Sequence, residues 1–159
     1  MTRYISKLRF ALAFVLLALS VACTKVPVGY LHTSEANYRI NTKVAYRQAQ
    51  QGEDFAFSSA NLEGLSGTQP ISYAFHSVKV SEGGDEAAFL KIVKEGLLLV
   101  RGGKIQLLQK GASQLPVGKY TISIRVSNEG HEAILSDIFS FIVKEQPEEA
   151  EDTASSSNE

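Results

Sequence analysis

Apolar and polar side chains alternate along several short stretches of the chain, which is the pattern of half-buried β-strands. The clearest stretch is 120–126, where every even position is apolar and every odd position is polar. The same alternation opens at 38–47, recurs at 71–75 and closes at 139–143. Together with short apolar runs between these stretches, the pattern predicts an all-β domain of about seven antiparallel strands over 37–144.

Turn-forming residues separate the predicted strands, and no helix is predicted between them. Residues 101–104 are typical of a tight hairpin, and 128–130 form a second turn. Residues 45–51 and 86–94 have room for a helical turn, but neither has the length of an independent helix, and 89–93 is assigned to a strand. Seven short antiparallel strands are typical of a β-sandwich.

The chain begins with a targeting segment. Arg3, Lys7 and Arg9 stand without an acid in the first nine residues, and 10–22 is an uncharged apolar run of 13 residues. As a helix, 13 residues span roughly 20 Å, which is less than the roughly 30 Å hydrocarbon core of a bilayer. Residues 1–22 are therefore predicted to be a cleaved signal peptide rather than a membrane-spanning helix.

Cys23, the only cysteine, follows the apolar run directly, and the small residues Ser20 and Ala22 precede it. This junction resembles the lipobox of bacterial lipoproteins, although Ser20 stands where that family favours Leu. The resemblance implies lipid attachment at Cys23 and anchoring in a membrane. In such lipoproteins an Asp directly after the lipidated cysteine favours retention in the inner membrane, and this chain has Thr24 there. The resemblance therefore implies the outer membrane, on either its periplasmic or its cell-surface face. The alternative is an ordinary secretory signal cut after Ala22, with Cys23 as a bystander thiol.

Two segments without strand patterning flank the domain. Residues 23–36 contain one Pro and one Gly and are predicted to be a tether. Residues 145–159 carry six acids, no base and no large apolar side chain, so a disordered acidic tail is predicted. A docking tail for a basic partner is the functional alternative for that segment.

A spaced series of apolar, glycine and tyrosine positions extends through the second half of the domain. Its members are Pro70, Ile71, Tyr73, Phe89, Ile92, Gly96, Leu97, Val100, Gly118, Tyr120, Ile122 and Ile124. The series resembles the cadherin-like and Ig-like domains of bacterial surface proteins. The resemblance implies an Ig-like or cadherin-like β-sandwich with a binding or adhesion role. Because these are mainly core and turn positions, they support the fold more than the function.

The calcium-binding acids of true cadherin repeats are missing at the matching positions. Asn128 stands where that family has an Asp, and 114–117, before the preceding strand, contain no acid. The candidate acids elsewhere in the domain are scattered along the chain: Asp85, Glu86, Glu129, Glu132 and Asp137. Calcium favours several oxygen ligands with carboxylates among them, so no metal site is predicted.

Composition and motifs argue against several other functions. Beyond Cys23 the chain has 13 basic and 17 acidic residues, which disfavours nucleic-acid binding. A single cysteine excludes a zinc cluster, a disulfide framework and a CxxC redox site. Residues 64–67 fail the G-x-S-x-G motif at its last glycine, and His32, His76 and His131 are isolated. The protein is therefore predicted not to be an enzyme and to need no cofactor.

Binding functions remain, with an envelope protein or a surface glycan as the partner. Glycan recognition relies on exposed aromatic side chains, above all Trp, and this chain has no Trp. The aromatic candidates are Tyr30, Tyr38, Tyr46, Phe55 and Phe57, each with a core-packing alternative. The sequence predicts a non-catalytic envelope lipoprotein that binds another protein or surface ligand, and the alternative is a glycan-binding accessory lipoprotein of a polysaccharide-uptake system. Three aligned exposed aromatics favour the glycan, whereas a bare apolar edge strand favours protein binding by strand addition.

Overall fold

The computed structural model describes residues 29–48, 52 and 54–147. The predicted signal peptide, Cys23 and residues 148–159 of the predicted tail lie outside these residues. Within the described part of the chain, no helix has the length and apolar character needed to cross a membrane.

The described residues are mostly β-strand, with two short helices. The strands are β1 (Leu31–His32), β2 (Thr42–Tyr46), β3 (Ala56–Ser58), β4 (Ser66–Gly67), β5 (Ser72–Ser81), β6 (Leu98–Arg101), β7 (Lys104–Leu108), β8 (Gly118–Asn128) and β9 (His131–Lys144). The helices are α1 (Glu86–Lys94) and α2 (Gln109–Gln114).

Two sheets carry most of the strands. The larger sheet has the order β2-β9-β8-β5, and the smaller has the order β3-β7-β6. All pairs in these sheets are antiparallel except β2 with β9, which run parallel, whereas the pattern predicted antiparallel strands only. β1 and β4 form a separate two-stranded ribbon. The described residues are mostly β, as predicted, and the arrangement of sheets is consistent with a sandwich.

The core is formed by the inward side chains of the central strands. The apolar positions predicted in 120–126 are all fully buried on β8, and β9 and β7 add further buried side chains. The largest of these side chains are Tyr120, Ile122, Ile124, Val126, Phe139, Phe141, Val143, Ile105 and Leu107. Burial of each aliphatic or Phe side chain contributes about 1.5–3 kcal/mol, so this cluster is the main source of stability.

Helix α1 occupies 86–94, where the sequence predicted at most a turn and assigned 89–93 to a strand. That prediction is wrong because the helix depends on its cap and its packing, not on its length. The Asp85 carboxylate accepts two backbone N–H groups of the first turn, at 2.7 and 3.2 Å. Phe89 and Ile92, three residues apart, are both fully buried.

Tyr120 connects α1 and the start of β8 to the core through hydrogen bonds and ring packing. Its hydroxyl donates to the Pro116 carbonyl oxygen at 2.9 Å and accepts the Asp85 N–H at 3.2 Å. Its ring is fully buried and stacks on Phe89 with a centroid distance of 5.2 Å. Burial raises the pKa of the Tyr120 hydroxyl, which keeps it protonated as a hydrogen-bond donor.

The folded part begins earlier than predicted, because β1 lies within the predicted tether of 23–36. β1 pairs with β4, and the Tyr30 N–H donates to Thr68 Oγ1 at 3.1 Å. The Asn128 side-chain amide donates to the Tyr30 carbonyl at 2.7 Å and to the Thr68 carbonyl at 3.0 Å. These bonds hold the first described residues against the turn between β8 and β9.

Candidate functional site

The five aromatic candidates do not form an exposed platform. Tyr38 and Phe57 are buried, with 4% and 6% exposure. Tyr46 and Phe55 are half-buried and pack edge-on against Phe57, with ring centroids 6.5 and 5.1 Å away. Of the five, only Tyr30 is exposed, at 57%. The core-packing interpretation therefore fits four of the five candidates.

The three histidines lie on different elements. His32 is on β1, where its ring contacts the Ser34 hydroxyl at 2.8 Å, His76 is exposed on β5, and His131 begins β9. Among the described residues, no group of three His, Cys, Asp or Glu side chains is arranged to hold a metal ion. Cys23, the predicted lipid-attachment residue, lies outside the described residues.

An opening lies where β2, at the edge of the larger sheet, faces β3, at the edge of the smaller sheet. It has a volume of about 120 Å³. Its lining residues are Ile40, Thr42, Lys43, Ser58, Ser59, Ala60 and Phe139. The Phe139 ring belongs to the core, packs on Tyr38 at 5.3 Å and is 1% exposed, whereas Ile40 is 68% exposed. We call this feature the β2–β3 opening.

β2 uses only one of its two edges among the described residues. The Ser140 N–H donates to the Asn41 carbonyl at 2.8 Å, and the Arg47 N–H donates to the Lys144 carbonyl at 2.9 Å. In a parallel pair, alternate residues turn their backbone groups toward the partner strand, so the odd-numbered residues face β9. Thr42 and Val44 turn their N–H and C=O groups to the opposite side, where no described strand pairs with β2.

β3 also has an edge without a partner strand in the described part of the chain. The Phe55 carbonyl accepts an N–H at 2.7 Å from the residue that follows β7, and the Ser59 N–H donates to β7 at 2.9 Å. The backbone groups of Ala56 and Ser58 therefore point away from β7. The β2–β3 opening is thus bordered by two strand edges with unused backbone donors and acceptors.

Helix α2 covers the far end of the β2 edge. The Gln109 side chain, 2% exposed, donates from Nε2 to the carbonyls of Tyr46 and Arg47 at 2.9 and 3.2 Å. The sequence predicted no element at 109–114, because this short segment has no apolar periodicity. With Tyr46 covered, the accessible part of the edge is Thr42–Val44.

Lys43 is the charged side chain of the β2–β3 opening. It is in register with the buried Phe141, so its Cβ points to the core side of the sheet, yet it is exposed because the opening leaves this position uncovered. The ion pairs found among the described residues do not include Lys43. Its ammonium group is therefore available to an anionic group that enters the opening.

The residues of β2 that point toward the core differ from those that the sequence predicted. The sequence predicted an apolar face of even-numbered residues in 38–47, but the odd-numbered Ala45 is fully buried and Ile40 is the most exposed of the large apolar side chains in the described residues. The irregular residues between Tyr38 and β2 change which positions face inward. Periodicity across that break therefore could not identify Lys43 as a residue of the opening.

Comparisons of the chain with protein-family models, with curated proteins and with solved structures found no match. The functional interpretation therefore depends on the chain's own residues and geometry.

Proposed function

We propose that this protein is a non-catalytic lipoprotein of the bacterial cell envelope that binds another protein along the β2–β3 opening. Lipid attachment at Cys23 anchors it in the outer membrane. The observation that carries the binding function is the pair of unused strand edges that border the β2–β3 opening. Such edges are templates for an added strand, because backbone bonds supply affinity and alternate side chains supply specificity.

The strand order supports an Ig-like or cadherin-like type of sandwich. Ig-like domains place strands B, E and D in one sheet and C, F and G in the other. With β3, β5, β6, β7, β8 and β9 as strands B to G, the orders β3-β7-β6 and β5-β8-β9 match this arrangement. The hydrogen bond from Tyr120 at the start of β8 to the Pro116 carbonyl matches the tyrosine corner of such domains.

The position of Gly29 supports a sandwich held close to the bilayer. Gly29, the first described residue, lies six positions after Cys23. Six residues reach at most about 20 Å. Because Tyr30 is bound to Asn128, anchoring at Cys23 brings the end of the sandwich with the β8–β9 turn nearest to the membrane.

The glycan-binding alternative has no supporting observation among the described aromatics, because four of the five candidates pack against their neighbours. We therefore retain the protein-binding interpretation.

Two linked experiments test the proposed function. Wild type and Cys23→Ser are expressed in a Gram-negative host, labelled with a palmitate analogue and fractionated. Label on the wild type alone, in the outer membrane, is the expected result, and unlabelled soluble protein from both contradicts the anchoring.

A photo-crosslinking amino acid is then placed at Thr42, with Lys94 on α1 as the control position. A cross-link from Thr42 to one defined segment of one envelope protein is expected. Equal cross-linking from both positions, or none from Thr42, contradicts the binding site.

A further inference from the structure

Resting on the proposed function, we propose that the β2–β3 opening takes a short extended peptide segment of its partner. This segment pairs with the free edge of β2, and a carboxylate side chain of the segment lies beside Lys43.

The backbone of β2 sets the length of this segment. Thr42 and Val44 together present two N–H and two C=O groups on the free edge, and Gln109 covers the edge beyond them. Toward the other end, the exposed Ile40 extends the surface by about two residues. At about 3.3 Å per residue, a segment of four or five residues covers the accessible edge.

The side chains of the opening set the pattern of the segment. A residue opposite Lys43 projects to the same side of the sheet as Lys43, with Cβ atoms about 4.5–5.5 Å apart, so an acidic side chain there meets the ammonium group. The next residue on that side projects toward Phe139 and Ile40. The opening, with a volume of about 120 Å³, has room for an apolar side chain such as Ala or Val at that position.

The surrounding charges favour an acidic partner over a basic one. The lining of the opening contains no acid. The neighbouring cations are already paired: Arg39 with Glu63 at 3.5 Å and Arg47 with Glu145 at 2.8 Å. Lys43 has no such pair among the described residues, so it is the cation that selects the incoming side chain.

A second copy of this chain is a poorer occupant. A symmetric pairing of two β2 edges uses the same surface on both molecules and brings one Lys43 close to the other. Like charges in neighbouring cross-strand positions are destabilising. A partner strand with an acidic residue avoids this repulsion.

Peptide probes test the inference on the full-length protein in detergent. The probe is a fluorescein-labelled peptide of sequence TATETVT, and its matched control, TATKTVT, replaces the acidic residue with a basic one. Binding is followed by fluorescence anisotropy. Ion pairs between exposed side chains are weak, so the wild type is expected to bind the acidic probe about two- to fivefold more tightly than the basic probe.

Two protein variants test the role of Lys43, and two modified probes test the pairing of the probe with a strand edge. Lys43→Glu is expected to reverse the preference, whereas Lys94→Glu, the same charge change on α1, is expected to leave it unchanged. Urea denaturation of both variants checks that they fold. N-methylation of alternate residues on one edge of the probe is expected to abolish binding, and on the other edge to be tolerated, because a strand pairs through one edge.

If the wild type binds the acidic and basic probes equally, or if Lys43→Glu keeps the wild-type preference for the acidic probe, no carboxylate of the segment lies beside Lys43. Equal binding of both N-methylated probes overturns the strand pairing. If no probe binds while Thr42 still cross-links to its partner, this inference fails and the proposed function stands. Loss of the Thr42 cross-link itself contradicts the proposed function.

Discussion

Replacing Tyr120 by Phe removes one buried hydroxyl and leaves the ring in place. The ring keeps its burial and its stacking on Phe89 at 5.2 Å. The change removes the bond donated to the Pro116 carbonyl at 2.9 Å and the bond accepted from the Asp85 N–H at 3.2 Å. The substitution therefore tests the corner between α1 and β8 without creating a large cavity.

The expected loss of stability follows from these two bonds. An intramolecular hydrogen bond contributes about 0.5–1.5 kcal/mol net, and a buried group left without a partner costs about 1–3 kcal/mol. Asp85 is exposed, so water can partly replace the bond that its N–H loses. Pro116 is half-buried, so its carbonyl oxygen is less well compensated by water. We expect the free energy of unfolding of Tyr120→Phe to fall by about 2 kcal/mol.

Urea denaturation of the purified protein, followed by circular dichroism, measures this change. The midpoint is expected to fall while the slope m stays constant, because the surface exposed on unfolding is the same. Tyr30→Phe is the matched control, since Tyr30 is 57% exposed and its hydroxyl has no hydrogen bond among the described residues. That control is expected to change stability by less than about 0.5 kcal/mol. Equal unfolding free energies for Tyr120→Phe and Tyr30→Phe would refute the role given to this corner.

Three further substitutions or conditions test other parts of the fold. Gly118→Ala is expected to destabilise by more than about 2 kcal/mol in urea, because a Cβ there lies 2.6 Å from the Gly84 Cα; a change under about 0.5 kcal/mol contradicts this packing. Asp85→Ala is expected to cost about 1 kcal/mol through loss of the helix cap, with Asp85→Asn largely retaining it; equal losses in both variants count against the cap. Burial raises the pKa of Tyr38 to about 12. The unfolded chain therefore releases that proton first, and stability is expected to fall by about 2 kcal/mol between pH 9 and pH 12. Tyr38→Phe is expected to lose less stability over this pH range, as measured by urea denaturation at each pH. An unchanged loss of stability in Tyr38→Phe would show that Tyr38 is not its source.

The sequence predicted β8 well because it lies between two strands and has one face on the core. Burial then selects apolar side chains at alternate positions, and the alternation is visible without a structure. All four of its predicted apolar positions, in 120–126, are fully buried.

The sequence predicted neither helix α1 nor the residues of β2 that point toward the core, and each failure has a physical reason. α1 is too short to be stable alone and depends on the Asp85 cap and on the burial of Phe89 and Ile92. β2 is an edge strand next to an irregular segment, so the alternation that starts at Tyr38 does not continue in phase into the strand.

The β2–β3 opening could not be predicted from local pattern. It arises from which strands pair, in particular from the parallel pairing of β2 with β9 and from the position of Gln109. Lys43 is one polar position among several in the sequence, and only the register with Phe141 places it on the core side.

Residue-resolved amide hydrogen exchange by NMR tests whether β2 has a free edge that can accept a strand. We expect slow exchange for Lys43 and Ala45, whose N–H groups face β9, and fast exchange for Thr42 and Val44. Addition of the TATETVT probe is expected to slow Thr42 and Val44 selectively. Slow exchange at Thr42 and Val44 in the free protein would mean that this edge is already occupied and would rule it out as a binding edge.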